Sequence, residues 1–456
     1  MAGRAAWVLV GLLWAVAVLN YLDRQLLVNM AAPIKSDLGI ANERFGLFSS
    51  VFLWVYGVCS PFAGYLADRV GRKPVIIASL GIWSAATLSS GFVTSFEEML
   101  VARAFLGVSE AFYMPAAVAL IVDHHAAGTR SRATGLHLSG VYVGSVLGGT
   151  GGWLAESQGW RFGFVLFGSI GVGYALFLVI VLRVEEREEP TPPSSLGALP
   201  GPVSGASRGP GEGKGEKTLE SPATSTGAQE AKQEVTPLPS GRGDGGVGSS
   251  LNPFRALLST RGFVLMLVMN ALNGAAYWPV RNWLPSFFNT ELGTSLTWSG
   301  LYGTAAFNAA AFAGMLLGSS VSDWLAAGNS RVRVLVPAVG FCLAAPCLFA
   351  LGLGALVVPA LVACIFVVGM SQGFLDANLM PAVCTVCDVR HRATGYGLMN
   401  FVGTTAGGVM TYVGGRLKDA NVPFTVTFQF AAAFILVAGL LLFAVRPSQS
   451  PAGGSH

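Results

Sequence analysis

Apolar runs close to the ~20 residues needed to cross a bilayer recur along the chain, broken by short polar interruptions. Twelve can be placed, at about 7–30, 45–67, 74–94, 99–122, 132–155, 161–183, 262–288, 297–325, 332–353, 356–380, 394–416 and 424–445. The first is too long and too closely joined to the second to be a cleaved signal, and no small-residue cleavage site ends it. The pattern predicts an all-α membrane protein of twelve transmembrane helices. One segment breaks it. From Val184-Glu185-Glu186-Arg187-Glu188-Glu189-Pro190 onward, 184–258 is rich in Gly, Pro, Ser and charge, with almost no aromatic residue before Phe254. Such a composition buries too little apolar surface to offset chain entropy, so a disordered cytoplasmic linker is expected there. It separates a six-helix bundle at 1–183 from a second at 259–446, followed by a cytoplasmic tail at 447–456.

Composition narrows the class. The chain is 52% hydrophobic and 11% charged, with mean hydropathy +0.58, against roughly 25% charged residues in a soluble domain. The net charge of +4 matters less than its distribution. Arg4, Arg69, Arg72 and Lys73, Arg130 and Arg132, Arg183, Arg331 and Arg333, Arg390 and Arg392, and Arg446 fall at the N-terminus, the even-to-odd connections and the C-terminus. The other connections carry little excess: Lys35, Asp37, Glu43 and Arg44, then Glu97 and Glu98, then Glu156. The positive-inside rule therefore puts both termini in the cytoplasm of a multi-pass cell-membrane protein, in a bacterial inner membrane or its equivalent. Basic residues scattered at helix ends give no support to nucleic-acid binding. An enzyme is not expected, since no phosphate-cradling loop, metal-ligand cluster or nucleophile–base spacing is present, and no nucleotide-binding segment supports ATP-driven transport. No cofactor is implied. Cys384-x-x-Cys387 has a redox or zinc spacing, but it lacks a second ligand pair and follows a membrane helix, so no metal is expected. Cys59, Cys342, Cys347 and Cys364 lie in apolar helices as small hydrophobes.

The ten residues Gly64-Tyr65-Leu66-Ala67-Asp68-Arg69-Val70-Gly71-Arg72-Lys73 form a tight basic turn between the second and third spans. They resemble the corresponding loop of major facilitator superfamily transporters. The halves also repeat each other. Arg130-Ser131-Arg132-Ala133-Thr134-Gly135 returns as Arg390-His391-Arg392-Ala393-Thr394-Gly395, opening the fifth and eleventh spans. Gly140, Gly144, Gly148 and Gly149 follow the first copy, and Gly403, Gly407 and Gly408 the second, a spacing that lets helices approach closely. Ser319-x-x-x-Asp323 is a degraded counterpart of the Asp68 turn. Two pseudo-symmetric six-helix bundles with a substrate site between them, the major facilitator fold, are what this resemblance implies.

Ionisable side chains inside a bilayer cost at least ~2.5–3.5 kcal/mol each, so each calls for a partner or a task. Asp23 and Arg24 in the first span, Arg103 and Glu110 in the fourth, and Asp376 in the tenth stand out. Arg103, Gly107 and Glu110 share one helical face, with the two charges roughly 10 Å apart along the axis. That is too far for a direct pair but suits a cation and an acid facing one cavity, with the deeper Glu110 placed to carry a proton. Fixed structural ion pairs, Asp23 with Arg103 for instance, are the competing reading. Asn273 and Tyr277, one turn apart, are placed to line the second half of the site, and Arg281 one turn further is expected at the external surface. His124 and His125 are expected to cap the fourth span, and His137 to pack.

Asn20-Tyr21-Leu22-Asp23-Arg24, Tyr56 and Arg103-x-x-x-Gly107-x-x-Glu110-Ala111 resemble the anion:cation symporter family, with Trp160-Arg161, Trp283-Leu284-Pro285 and Asn400 as further landmarks. The resemblance covers nearly all of the chain outside the linker. It implies that Asp23 and Glu110 couple proton entry to substrate movement and that Arg24 and Arg103 are cations of the central pathway. It further implies that Tyr56 and Asn400 hydrogen-bond substrate from opposite halves. The cytoplasmic latch of the outward-facing state would comprise Gly64, Asp68, Arg69, Gly71, Arg72, Lys73 and Arg132. Arginine binds a carboxylate through two parallel donors, which makes an organic anion a natural substrate. Asp376, near Gln372 and Asn378, departs from the family pattern. If it faces the cavity it repels a dianion. The reading favoured is the cytoplasmic mouth, paired with Arg390 or Arg392.

The leading reading is a proton-coupled symporter of a small organic anion, such as a sugar acid, working as a monomer in the lipid bilayer. A lysolipid or drug exporter is the alternative, because Spinster-like transporters resemble the same Asp-Arg pair and Arg…Gly-x-x-Glu-Ala segment. A transport-like sensor signalling through the linker is a third.

Overall fold

The computed structural model describes residues 2–188, 253–326, 331–353, 357–387 and 391–446. The described residues 2–186 and those from 253 onward form one compact unit, and residues 189–252 lie outside the described residues. The described residues are helical nearly throughout. The first half comprises α1 (Ala2–Asn29), α2 (Ala31–Leu38), α3 (Asn42–Val70), α4 (Arg72–Ser90), α5 (Phe96–His124), α6 (Ala127–Gly148), α7 (Gly151–Gln158) and α8 (Trp160–Glu188). The second comprises α9 (Pro253–Ser259), α10 (Arg261–Thr290), α11 (Leu296–Gly300), α12 (Ala306–Ala326), α13 (Val332–Leu351), α14 (Val358–Val386), α15 (Arg392–Asp419) and α16 (Phe424–Ala444). A π-turn at Leu301–Ala305 joins α11 to α12 in one continuous rod, matching the single span expected at 297–325.

Nine helices among the described residues are long and apolar enough to cross a membrane. The helices α4, α6 and α15 are also long but less apolar, since they carry glycines, serines and threonines into helix contacts, so the length-and-apolarity measure covers nine of the twelve spans expected. The long helices are joined by short connections and run alternately up and down, taking α11 and α12 as one, so one end of the bundle, here the terminal face, holds the starts of α1 and α10 and the ends of α8 and α16. Helical backbone enters both ends of the segment assigned to the linker, through Glu188 and again from Pro253. Residues 189–252 between them lie outside the described residues.

The two halves pack by one plan. In the first, α1 lies on α6 while α3 and α4 lie on α5; in the second, α10 lies on α15 while α12 and α13 lie on α14. Small residues allow it. A Cβ on Gly144 of α6 would sit 2.2 Å from the Val18 carbonyl oxygen of α1, and one on Gly274 of α10 would sit 2.0 Å from the Gly403 carbonyl oxygen of α15. Lipid tails offer no hydrophobic drive between helices, so this close backbone contact is a principal source of cohesion.

The stretch from Gly64 is not a loop along its length. Helix α3 continues to Val70, and Gly71 alone makes the reversal, at φ 100, where a side chain would be strained. Arg72 then opens α4.

Candidate functional site

The interior of the first half is built where α1, α4 and α5 converge. Asp23, Arg24, Arg103 and Glu110 are all buried. Arg24 Nε donates to Glu110 Oε2 at 2.5 Å, an ion pair between α1 and α5. The same guanidinium lies over the rings of Tyr21, Phe52 and Tyr56, with its carbon 4.5, 4.8 and 4.9 Å from their centroids. Arg103 lies over Phe52 at 5.3 Å. Asp23 Oδ2 accepts from Thr87 Oγ1 of α4 at 3.1 Å. Two acids and two arginines thus make a formally neutral cluster under an aromatic roof, where each charge is costly without its neighbours. Among the described residues, Asp23 Oδ1, Glu110 Oε1 and Arg103 Nε have no hydrogen-bond partner. These are the groups a proton or a bound carboxylate would satisfy.

The second half supplies α10 and α14. Arg281 is buried rather than at the surface as its spacing from Tyr277 led us to expect. Nine more residues of α10 follow it, and Tyr277, Trp278 and Tyr21 surround its guanidinium at 5.8, 5.7 and 6.0 Å. Arg281 donates to Tyr277 Oη at 3.3 Å and to Ser145 Oγ of α6 at 3.0 Å. With the Gln25 amide turned to face it, Gln25 of α1 accepts from it at 2.6 and 3.2 Å. A small cavity of ≈30 Å³ has Arg24, Arg103 and Arg281 in its wall, with Gln25, Ser49 and Asn282. Ser49 Oγ donates to Asn282 Oδ1 at 2.7 Å across the halves.

Asp376 is held by two uncharged side chains. Tyr142 Oη of α6 donates to its Oδ2 at 2.9 Å, and Gln372 Nε2 donates to its Oδ1 at 3.0 Å. It lies ten residues inside the end of α14, about 15 Å from it. Arg390 and the Arg392 side chain, the partners expected for it, lie outside the described residues. Asp376 and Tyr396 are nonetheless exposed, so water-accessible space reaches them between the halves.

The remaining residues divide. Tyr56 joins the Arg24 aromatic group. Asn400 Nδ2 donates to Ser60 Oγ of α3 at 3.2 Å, linking the halves. Asn273 is buried with its Oδ1 unpartnered among the described residues, and Tyr277 holds Arg281. Arg72 pairs with Asp123 and donates to the Ala119 carbonyl at 2.9 Å, both on α5 of its own half. Arg132 is exposed, while the Gly64 and Asp68 side-chain positions lie outside the described residues. His124 and His125 bond through Nδ1 to the carbonyls of Leu120 and Ile121 at 2.8 and 3.0 Å, as helix-end residues do. His137 packs edge-on against Tyr113. Sequence reasoning missed Tyr142, Gln25 and Ser145. They are uncharged residues whose importance comes from pairing across elements, which no local pattern records.

The family model described as Major Facilitator Superfamily matches residues 13–411. The protein spinster of Drosophila melanogaster is 32% identical over 183 residues, which are 40% of this chain and 30% of that protein. A D-galactonate transporter of Escherichia coli is 24% identical over 96% of this chain and 94% of its own length. An MFS-type efflux pump of Mycolicibacterium smegmatis is 26% identical over 91% and 85%. A crystal structure of a bacterial homologue of the human lysosomal transporter Spinster, inward-facing and unoccupied, superposes with TM-score 0.71 at 21% identity. That match covers 98% of each chain and establishes the likeness of fold. A family match along most of the chain, long helices in two like-packed halves and a buried charged cluster lead to one conclusion: this protein belongs to the major facilitator superfamily.

Proposed function

We propose that the chain is a proton-coupled symporter that moves a small organic anion, such as a sugar acid, by alternating access. The observation that carries this reading is the buried Arg24–Glu110 pair, set beside Asp23 and Arg103. A proton taken up by Glu110 removes the carboxylate that occupies Arg24 and leaves the guanidinium to bind a substrate carboxylate. The substrate anion then takes the place of the internal partner, and the cluster, carrying one excess positive charge between the two events, is neutral again. Because a bare charge there is costly, the empty unprotonated and the doubly loaded carriers are the species able to close. Loss of the proton on the other side restores the internal pair and expels the anion. Tyr56, Arg103, Asn273, Tyr277 and Asn400 are assigned to substrate contact and Asp23 to proton coupling alongside Glu110. The likeness to a D-galactonate transporter supports a sugar acid.

The basic residues at the terminal face make that face cytoplasmic under the positive-inside rule. The Gly64–Lys73 segment with Arg132 is assigned to the latch that closes it. A second reading, export of a lysolipid or drug, is favoured by Asp376, an exposed acid that accepts from Tyr142 of the other half and suits an amine-bearing or zwitterionic substrate.

The test is uptake of a panel of labelled sugar acids into proteoliposomes, with and without an inward proton gradient. Gradient-stimulated accumulation of one acid is expected. No uptake of any acid by correctly inserted protein overturns the symporter reading and moves the assignment to export.

A further inference from the structure

The internal repeat extends further than its opening motif. Gly151-Gly152-Trp153-Leu154-Ala155-Glu156 in the first half matches Gly414-Gly415-Arg416-Leu417-Lys418-Asp419 in the second, each placing an acid four residues after a glycine pair. Both segments lie at the face opposite the termini, and each reaches into the other half in the same manner.

In the first, a Cβ on Gly152 would sit 2.1 Å from the Leu296 carbonyl oxygen, so α7 lies directly on the start of α11. Glu156 then takes the exposed amides of that start. Its Oε1 accepts from Leu296 N at 2.6 Å, and its Oε2 accepts from Thr297 N at 3.3 Å and from Thr297 Oγ1. In the second, a Cβ on Gly415 would sit 2.4 Å from the Asn42 carbonyl oxygen, so α15 lies on the start of α3. Asp419 Oδ1 accepts from Asn42 N at 3.0 Å and Asn42 Nδ2 at 2.8 Å, and its Oδ2 accepts from Glu43 N at 2.7 Å. Lys35 Nζ donates to Asn42 Oδ1 at 2.6 Å, and Tyr412 of α15 donates to Glu43, reinforcing the second contact.

An N-terminal helix turn has amides without intrahelical partners and carries partial positive charge, which a carboxylate satisfies on both counts. Here each carboxylate comes from the opposite half. The contacts are therefore reciprocal, and separation of the halves at this face breaks both.

We propose that the two Gly-Gly-x-Leu-x-acid segments are a paired clasp that closes the face opposite the termini, with Glu156 and Asp419 as its hooks. The glycines bring the backbones together, and the carboxylates fix the helix starts of the other half. The clasp sets how much of the carrier population is open at that face. This inference rests on the alternating-access reading but on no assignment of substrate or coupling ion.

Hydrogen exchange read by mass spectrometry on the full-length protein in lipid nanodiscs tests it. Glu156→Gln, Asp419→Asn and the double substitution keep side-chain size while removing the charge. Exchange at 42–45 and at 296–299 is expected to rise roughly five- to tenfold in either single variant, at both seams together, since loss of one cap unlocks a rigid-body opening. The double variant is expected to exchange fastest, and Asp419→Glu to restore protection. A rise confined to the substituted seam, or unchanged exchange at both, overturns the clasp. Because nothing is transported in this experiment, a wrong substrate assignment leaves its result unaffected.

Discussion

Arg24 and Glu110 meet across α1 and α5 with nitrogen and oxygen 2.5 Å apart, both shielded from solvent. A buried pair of this kind is costly to break from one side, because the survivor keeps its charge without its partner. Glu110→Ala is therefore expected to destabilise the carrier by about 3–5 kcal/mol, seen as a lower thermal midpoint in detergent. Arg24→Ala combined with it should cost much less than the two single changes added. Additive losses would show that the pair does not act as a unit.

Close helix packing makes a second expectation. Gly144→Val forces a side chain into the Val18 backbone, where only 2.2 Å is available to a Cβ, and backbone cannot swing aside. A loss of at least ~1–3 kcal/mol is expected from overpacking. Gly11, also helical, has nothing within 4 Å of the Cβ position, so Gly11→Ala serves as the control. Its stability should change by less than ~1 kcal/mol. Equal effects of the two changes would refute the packing argument.

Selectivity should depend on Asp376. Its carboxylate, held by Tyr142 and Gln372, adds a negative charge to the space between the halves. Asp376→Asn removes that charge and is expected to improve binding of a dianion relative to a monoanion by about fivefold, on the order of 1 kcal/mol at partly screened distances. Competition binding with mono- and dicarboxylates measures this ratio. An unchanged ratio would place Asp376 outside the substrate's reach.

At the face opposite the termini, Asp37 of α2 accepts from Arg161 and from Trp160 Nε1, tying α2 to the start of α8. The bond with Arg161 holds the Asp37 carboxyl below its ordinary range. The sign comes from linkage: a lowered folded-state pKa stabilises above the unfolded value, and that contribution disappears as pH falls through the folded value. Midpoints measured across acid pH should thus fall less steeply in Asp37→Asn than in the parent below pH ~4. Identical acid limbs would remove Asp37 from the account.

Membrane class and internal duplication were legible in the sequence because each rests on a repeated local pattern. Apolar length marks a span, and Arg130–Gly135 with Arg390–Gly395 marks the repeat. The charged residues Asp23, Arg24, Arg103 and Glu110 were legible for a related reason, since an ionisable group within an apolar run is conspicuous. Their pairing was not. Whether Glu110 faces Arg24 or Arg103 depends on the rotation of α1 against α5, which sequence spacing along one helix does not define. The burial of Arg281 was not legible, because distance along α10 does not give depth and Tyr277, Trp278 and Ser145 decide what surrounds it. Tyr142 carried no sequence signal, being one tyrosine among many until Asp376 is brought beside it.

The central claim, that Glu110 binds the proton whose movement drives the anion, is tested most directly by Glu110→Gln in proteoliposomes. Uptake against a concentration gradient, driven by an imposed proton gradient, is compared with exchange of labelled for unlabelled substrate at equal pH. The account predicts that the variant loses gradient-driven accumulation while retaining exchange. Accumulation at the parent's level in that variant would contradict it.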